Sequence, residues 1–187
     1  MTPRIRLPLA WSMPACGGFG HVDPLQIMNV CDSPEIRRIR CAEPPSQGWC
    51  PGGEILWGYD ATPVFGAFTR EVALDVAPMW MAPPGVLQYL RTGSNRQSAA
   101  SQIGQEVEAK NYFWRTLEER VRSARAAAAW ATADPDLYGT NRIAVHTARA
   151  AASAQGTVAH PKTTKYARRL SQLLIAGRRL YGQRVVP

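Results

Sequence analysis

The strongest helical pattern in the chain is Thr163-Thr-Lys-Tyr-Ala-Arg-Arg-Leu-Ser-Gln-Leu-Leu-Ile-Ala-Gly-Arg-Arg-Leu-Tyr181. At roughly 100° per residue, one arc of about 120° holds the apolar positions: Tyr166, Leu170, Leu173, Leu174, Gly177, Leu180 and Tyr181. The opposite arc holds Lys165, Arg168, Arg169, Gln172 and Arg179, with no acidic residue among them. A solvated helix face usually mixes both signs of charge. The pattern therefore predicts a helix that packs on one face and binds a polyanion with the other, a plain solvated face being the alternative.

Two further helices are predicted before this one. From Ser98, taken as the N-cap, apolar residues recur at helical spacing to about Trp130, namely Ile103, Val107, Trp114, Leu117, Val121, Ala124 and Ala128. Asp134-Pro-Asp136 is a stop signal for that helix. The next helix is alanine-rich, runs from Asn141 to about Ala154, and has Gly156 as its C′ residue. Residues 97–187 are therefore predicted to form a basic domain of three helices.

Residues 1–96 have a different composition. Twelve of the fifteen Pro, all four Cys and four of the six Trp lie before residue 85. Because proline fixes φ and lacks an N–H donor, we predict an extended or irregular arm, with short strands at most at Glu54–Tyr59 and Val72–Val76. The arm would wrap over a partner and use as anchors Trp11, Trp49, Trp57 and Trp80. The alternative is a small irregular domain with these Trp in its own core. The predicted class is thus a mainly α C-terminal half with an irregular N-terminal arm.

The net charge of +8 is concentrated at the C-terminal end. Residues 137–187 hold nine Lys/Arg and no Asp or Glu, whereas residues 1–136 hold thirteen basic and fourteen acidic side chains. Arg outnumbers Lys nineteen to three, which favours phosphate binding, although GC-rich codon usage explains this bias equally well. The residues predicted to bind RNA phosphates are Arg142, Arg149, Lys162, Lys165, Arg168, Arg169, Arg178, Arg179 and Arg184.

The sequence predicts neither a membrane span nor secretion. No stretch approaches the roughly 18 to 20 apolar residues of a membrane helix, and no hydrophobic core of a secretory signal is present. Arg4 and Arg6 precede the first acidic residue, as in an organellar targeting segment, but nearby prolines interrupt any amphipathic helix. The expected compartment is an organelle matrix, that of the mitochondrion, or the cytoplasm.

Four cysteines, Cys16, Cys31, Cys41 and Cys50, are the candidate metal ligands. Structural zinc sites use a Cys-x2–4-Cys turn, which this spacing lacks. The spacing of Cys31 and Cys41 also occurs in helical-hairpin disulfides of mitochondrial intermembrane-space proteins, but Pro34, Pro44 and Pro45 argue against those helices. Unlinked buried thiols and no cofactor are therefore expected, with zinc or an iron–sulfur cluster as the alternative.

Catalytic motifs are not recognisable. Gly17-Gly-Phe-Gly20 lacks the lysine of a phosphate-binding loop. None of His21, His146 and His160 has a nucleophile motif nearby or an acid in its own segment to orient it. We therefore predict that the chain is not an enzyme.

Residues 165–182 resemble the C-terminal helix of the eighteenth protein of the bacterial-type and organellar small ribosomal subunit. The family pattern is matched in register by Lys165, Arg168, Arg169, Leu170, Leu174, Gly177, Arg178 and Leu180. The resemblance covers about 20 of the 187 residues, and the first 135 have no counterpart in the compact bacterial form. It implies that this helix and the loop before it contact ribosomal RNA beside a partner protein.

Two functions follow from these features. The first is a structural, non-catalytic subunit of a large ribonucleoprotein, an organellar-type ribosome, with RNA on the basic helices and neighbouring proteins on the arm. The second is a protein–protein assembly subunit, such as a virion connector or an accessory subunit of a respiratory complex. A metal-dependent module built on the cysteines is a third hypothesis.

Overall fold

The computed structural model describes residues 11–14, 35–41, 53–109, 119–156 and 163–181. Three strands come first, β1 (Trp11–Pro14), β2 (Glu35–Cys41) and β3 (Gly53–Asp60). The helices are α1 (Thr62–Val76), α2 (Pro84–Thr92), α3 (Arg96–Ala109), α4 (Glu119–Thr132), α5 (Pro135–Tyr138), α6 (Thr140–Ala154) and α7 (Thr163–Tyr181), with a 3-10 turn at Ala77–Trp80. The prediction of a mainly α protein is confirmed.

The strands form one small sheet in the order β1-β2-β3. β1 is parallel to β2, and β2 is antiparallel to β3 with an irregularity between Arg38 and Ile39. The strand predicted at Glu54–Tyr59 is confirmed by β3. The strand predicted at Val72–Val76 is wrong, because these residues end α1. Val72 and Val76 are four residues apart and both buried, so they satisfy the helical period as well as the strand period.

Residues 62–92, which the sequence places in the arm, are largely helical. Pro63 lies in the first turn of α1, Pro78 in the 3-10 turn, and Pro84 begins α2. Proline is tolerated in a first turn because its missing N–H has no partner in the helix there. The prolines therefore mark helix starts. Trp80 is buried in the core of the chain, as expected if this tryptophan packs within its own domain and does not anchor a partner. Trp49 lies outside the described residues.

The single helix predicted from Ser98 to Trp130 is corrected to two. Helices α3 and α4 contact one another, which two parts of one straight helix cannot do. Ser98 lies inside α3, not at its N-cap, and Trp114 and Leu117 lie outside the described residues. The stop signal is confirmed, since α4 ends at Thr132 and the Asp134 carboxylate accepts the backbone N–H of Asp136 at 3.1 Å. The two later helices are confirmed, with Gly156 at a φ of 73° after α6.

Alanines form the centre of the helical core. Helix α6 packs mainly against α4 and α1, and α4 and α6 bury Ala124, Ala127, Ala128, Ala131, Ala144, Ala148, Ala151 and Ala152. Small side chains allow helix axes to approach closely, because the interaxial distance depends on the residues at the contact. Larger side chains come from α1, where Phe65 and Phe68 are fully buried.

Helix α7 closes the core with its apolar face. Tyr166, Leu170 and Leu174 are buried, as the helical pattern predicts. The Tyr59 hydroxyl at the end of β3 donates to the Leu174 carbonyl at 2.6 Å, and burial raises the pKa of Tyr59. A Cβ added at Gly177 would lie 2.7 Å from Val64 Cγ2 and 3.0 Å from the Tyr59 hydroxyl. The absence of a side chain at Gly177 therefore lets α7 dock closely.

Candidate nucleic-acid interface

Two cations of the basic face of α7 form ion pairs with α1. Lys165 Nζ lies 2.7 Å from Asp75 Oδ2, and Arg169 Nε lies 2.7 Å from Glu71 Oε1, with Arg169 Nη2 3.1 Å from Glu71 Oε2. The residue numbers fall along α1 as they rise along α7, so the two helices are antiparallel here. Glu71 and Asp75 are four residues apart, so they lie on one face of α1. Lys165 and Arg169 have the same spacing and lie on one face of α7.

These ion pairs lie at the surface. The side chain of Lys165 is 59% exposed and that of Asp75 41%, and exposed pairs contribute at most about 1 kcal/mol. The Asp75 carboxylate also accepts the Tyr166 hydroxyl at 3.4 Å, while Gln155, the residue after α6, donates to that hydroxyl at 2.9 Å. Burial, and then the charge of Asp75, raise the pKa of Tyr166. The carboxylates thus orient the start of α7 and reduce the positive potential of its face.

The other predicted cations are distributed over two helices. Arg168 is exposed on α7, and Arg142 and Arg149 are exposed on α6. Arg178 and Arg179 lie in the last turns of α7, and Lys162 and Arg184 lie outside the described residues. Since Arg142 and Arg149 are seven residues apart, they share one face of α6. The predicted cations therefore lie on two helix faces, one on α6 and one on α7.

A cluster of aromatic rings forms around His146, which lies between Arg142 and Arg149 on α6 and which was not among the predicted site residues. The His146 imidazole stacks on Trp130 of α4, with ring centroids 4.3 Å apart and an interplanar angle of 16°. Tyr138 of α5 meets the same indole edge-on at 5.5 Å and 80°. The spacing of Arg142, His146 and Arg149 at four and three residues is a visible sequence signal for one helix face. The rings of Trp130 and Tyr138 belong to other helices, and no local sequence pattern predicts that they lie close to His146.

The environment of His146 disfavours its charged form. Burial against its neighbours lowers the pKa of His146, and the positive charges of Arg149 and then Arg142 lower it further. The imidazole is therefore neutral at pH 7 and contributes a ring surface rather than a third cation.

An NMR titration of His146 is expected to give a pKa below the ordinary value of 6.5. Because the folded-state pKa is lower than that of the unfolded chain, the unfolded state binds more protons in this range. The contribution of His146 to the free energy of unfolding is therefore fully present above its unfolded-state pKa. This contribution is lost as the pH falls from the unfolded-state pKa to the lower folded-state pKa. Thermal unfolding at pH 7.5 and 5.5 should show this loss, and His146→Gln should reduce it. An unshifted titration would contradict the stacked, arginine-flanked position.

The described part of the chain contains neither a metal-binding cluster nor a helix that could cross a membrane. Within it, no group of three or more His, Cys, Asp or Glu is placed to hold a metal ion, and no helix is long and apolar enough to cross a membrane. Cys41 lies in β2. The remaining candidates Cys16, Cys31 and Cys50, like His21 and His160, lie outside the described residues, so the zinc and iron–sulfur alternatives stay predictions.

Comparisons with known proteins add no family to this picture. No family model, no curated protein and no solved structure matches the chain. The ribosomal resemblance of α7 stays a prediction, and the charges and rings of α6 and α7 carry the functional interpretation.

Proposed function

We propose that the chain is a structural, non-catalytic subunit of a ribonucleoprotein, an organellar-type ribosome, in the mitochondrial matrix or the cytoplasm. The supporting observation is that α6 and α7 contain no acidic residue and expose Arg142, Arg149 and Arg168. Guanidinium groups bind phosphate oxygens through a planar fork of donors. Contacts of this kind hold a protein in place on folded RNA without reading its sequence.

The ion pairs with α1 fit this proposal as exchangeable contacts. Glu71 and Asp75 occupy the guanidinium and ammonium groups of Arg169 and Lys165 when RNA is absent. A phosphate approaching α7 competes with these carboxylates and is repelled by them. The carboxylates therefore lower the affinity of this face for RNA while they keep its side chains extended and ordered.

Glu71→Gln is expected to raise the affinity for RNA about fivefold. It removes a carboxylate that competes with phosphate for Arg169, and two like charges about 4 Å apart in water repel by about 1 kcal/mol. The measurement is fluorescence anisotropy with a labelled structured RNA at fixed salt. Glu119→Gln is the matched control, because Glu119 is an exposed carboxylate in the first turn of α4. Equal effects of the two substitutions would contradict a role for α7 in RNA binding.

A native pull-down of the tagged full chain, with and without nuclease, tests the proposed function directly. We expect a large particle that nuclease dissolves and whose RNA is then identified by sequencing. In a binding titration, six or more phosphate contacts predict a slope of about −5 or steeper for log affinity against log salt. A monomeric chain recovered alone would overturn the proposal.

The alternative function, a protein–protein assembly subunit such as a virion connector or an accessory respiratory-complex subunit, is favoured by one exposed apolar region. Met81 follows the 3-10 turn with a φ of 50° and is 91% exposed. It borders an open cavity of about 380 Å³ that Leu74 and Leu87 also line. Flexible methionines suit adaptable protein contacts. A particle that survives nuclease in the pull-down would favour this alternative.

A further inference from the structure

We infer that α4, α5 and α6 together form a binding patch for single-stranded RNA. The patch consists of Trp130, Tyr138, Arg142, His146 and Arg149, and is called the ring–arginine patch below. The inference rests on the proposed function, which it extends from phosphate contact to unpaired bases.

The rings supply flat surfaces of the size of a base. Trp130 and His146 are stacked nearly parallel at 4.3 Å, and both are half-buried, so each is fixed by packing. Tyr138 stands at 80° to the indole and is 45% exposed, which leaves part of its ring open to a ligand. Bases stack on aromatic side chains of this kind with little dependence on sequence, because every base has a π-face.

The arginines of α6 provide positive charge for the phosphates of a bound RNA strand. Arg142 and Arg149 are exposed on either side of His146, which places two exposed cations along one face of α6. Two carboxylates lie in the segment that leads to Tyr138. Asp134 pairs with Arg96 at 3.6 Å and caps α5, while Asp136 is exposed and repels phosphate. A strand bound here would therefore place its backbone on α6 and its bases towards Tyr138.

The chemistry selects unpaired RNA over a duplex. In an A-form helix the base faces are stacked on each other, so only phosphates and hydroxyls reach the protein. A duplex can use the two arginines of the ring–arginine patch but not its rings. A single strand uses both, which predicts tighter binding of the single strand at equal charge.

The test compares a labelled unstructured RNA oligonucleotide with a blunt-ended RNA duplex of equal phosphate number, by anisotropy with the full chain. Tyr138→Ala is expected to weaken binding of the single strand about tenfold, within the range for loss of one base–aromatic stack, and to leave binding of the duplex unchanged. Tyr138→Phe should retain wild-type binding, because the ring remains. The matched control is Leu137→Ala, which removes a neighbouring apolar side chain that is 72% exposed but carries no ring.

Arginine variants separate charge from stacking. Arg149→Gln should weaken both RNAs and reduce the salt slope by about 0.7 to 0.9, the contribution of one phosphate contact. Arg91→Gln, an exposed cation of α2, should not. Circular dichroism of each variant checks that the fold is retained.

The outcomes distinguish the two proposals. Wild-type chain that binds neither RNA overturns the proposed function and the ring–arginine patch together. Wild-type chain that binds both RNAs equally, with Tyr138→Ala no weaker than Leu137→Ala, overturns the patch alone. A loss confined to the single strand and restored by phenylalanine supports it.

Discussion

Ala148→Leu is expected to lower the free energy of unfolding by about 3 kcal/mol, because it forces three carbon atoms into a filled interface. Ala148 is fully buried in α6, the helix that packs against both α4 and α1. Most buried positions of α4 are alanines, which have no flexible side chain to move aside. The two helices would have to separate, and α1 would lose contact with them. Since small domains have about 5 to 15 kcal/mol of stability, this is a large fraction of the total.

The measurement is urea unfolding followed by circular dichroism, with Ala129→Leu as the matched control. Ala129 lies on α4 but is exposed, and leucine has nearly the same helix propensity as alanine. The control should therefore change stability by less than about 0.5 kcal/mol. Equal effects at the two positions would show that α4 and α6 do not pack through their alanines.

The contrast between Leu170 and Ala148 shows which parts of the fold the sequence could predict. On α7, long apolar side chains alternate with cations, and this pattern alone predicts both the helix and its buried face. The pattern on α4 and α6 is weak, because alanine occurs on buried and exposed faces alike. Their helical state was predictable from propensity and from Gly156, but the alanine interface was not, since it depends on which helix lies opposite.

Long-range contacts also explain why some features of the candidate site could be predicted from the sequence and others could not. The cationic face of α7 was predictable because its signal lies within nineteen consecutive residues. Asp75 is 90 positions from Lys165 in sequence and Glu71 is 98 positions from Arg169, so their pairing depends on the antiparallel docking of α1. The stack of His146 on Trp130 likewise needs α4 and α6 side by side. The prolines of residues 62–92 do not prevent helix formation, because the effect of proline depends on its position within a helix.

Gly177→Leu is expected to lower the free energy of unfolding by about 2 to 3 kcal/mol. A Cβ alone would lie 2.7 Å from Val64 Cγ2, well inside contact distance, and 3.0 Å from the Tyr59 hydroxyl. Val64 is a short branched side chain at a buried position of α1, so it has little freedom to move. Moving Tyr59 instead would strain the 2.6 Å hydrogen bond that its hydroxyl donates to the Leu174 carbonyl. Both routes push α7 away from β3 and α1.

Gly104→Leu is the matched control, because it makes the same substitution inside a helix where a new Cβ meets no atom within 4 Å. There the better helix propensity of leucine should stabilise the chain by about 0.5 to 1 kcal/mol. The same gain applies at Gly177, so the difference in stability between the two variants measures the cost of the close approach of α7. Stabilisation by both substitutions in urea unfolding would contradict this docking. It would also remove the reason why glycine, and not a larger apolar residue, stands on the buried face of a helix that otherwise packs through tyrosine and leucine.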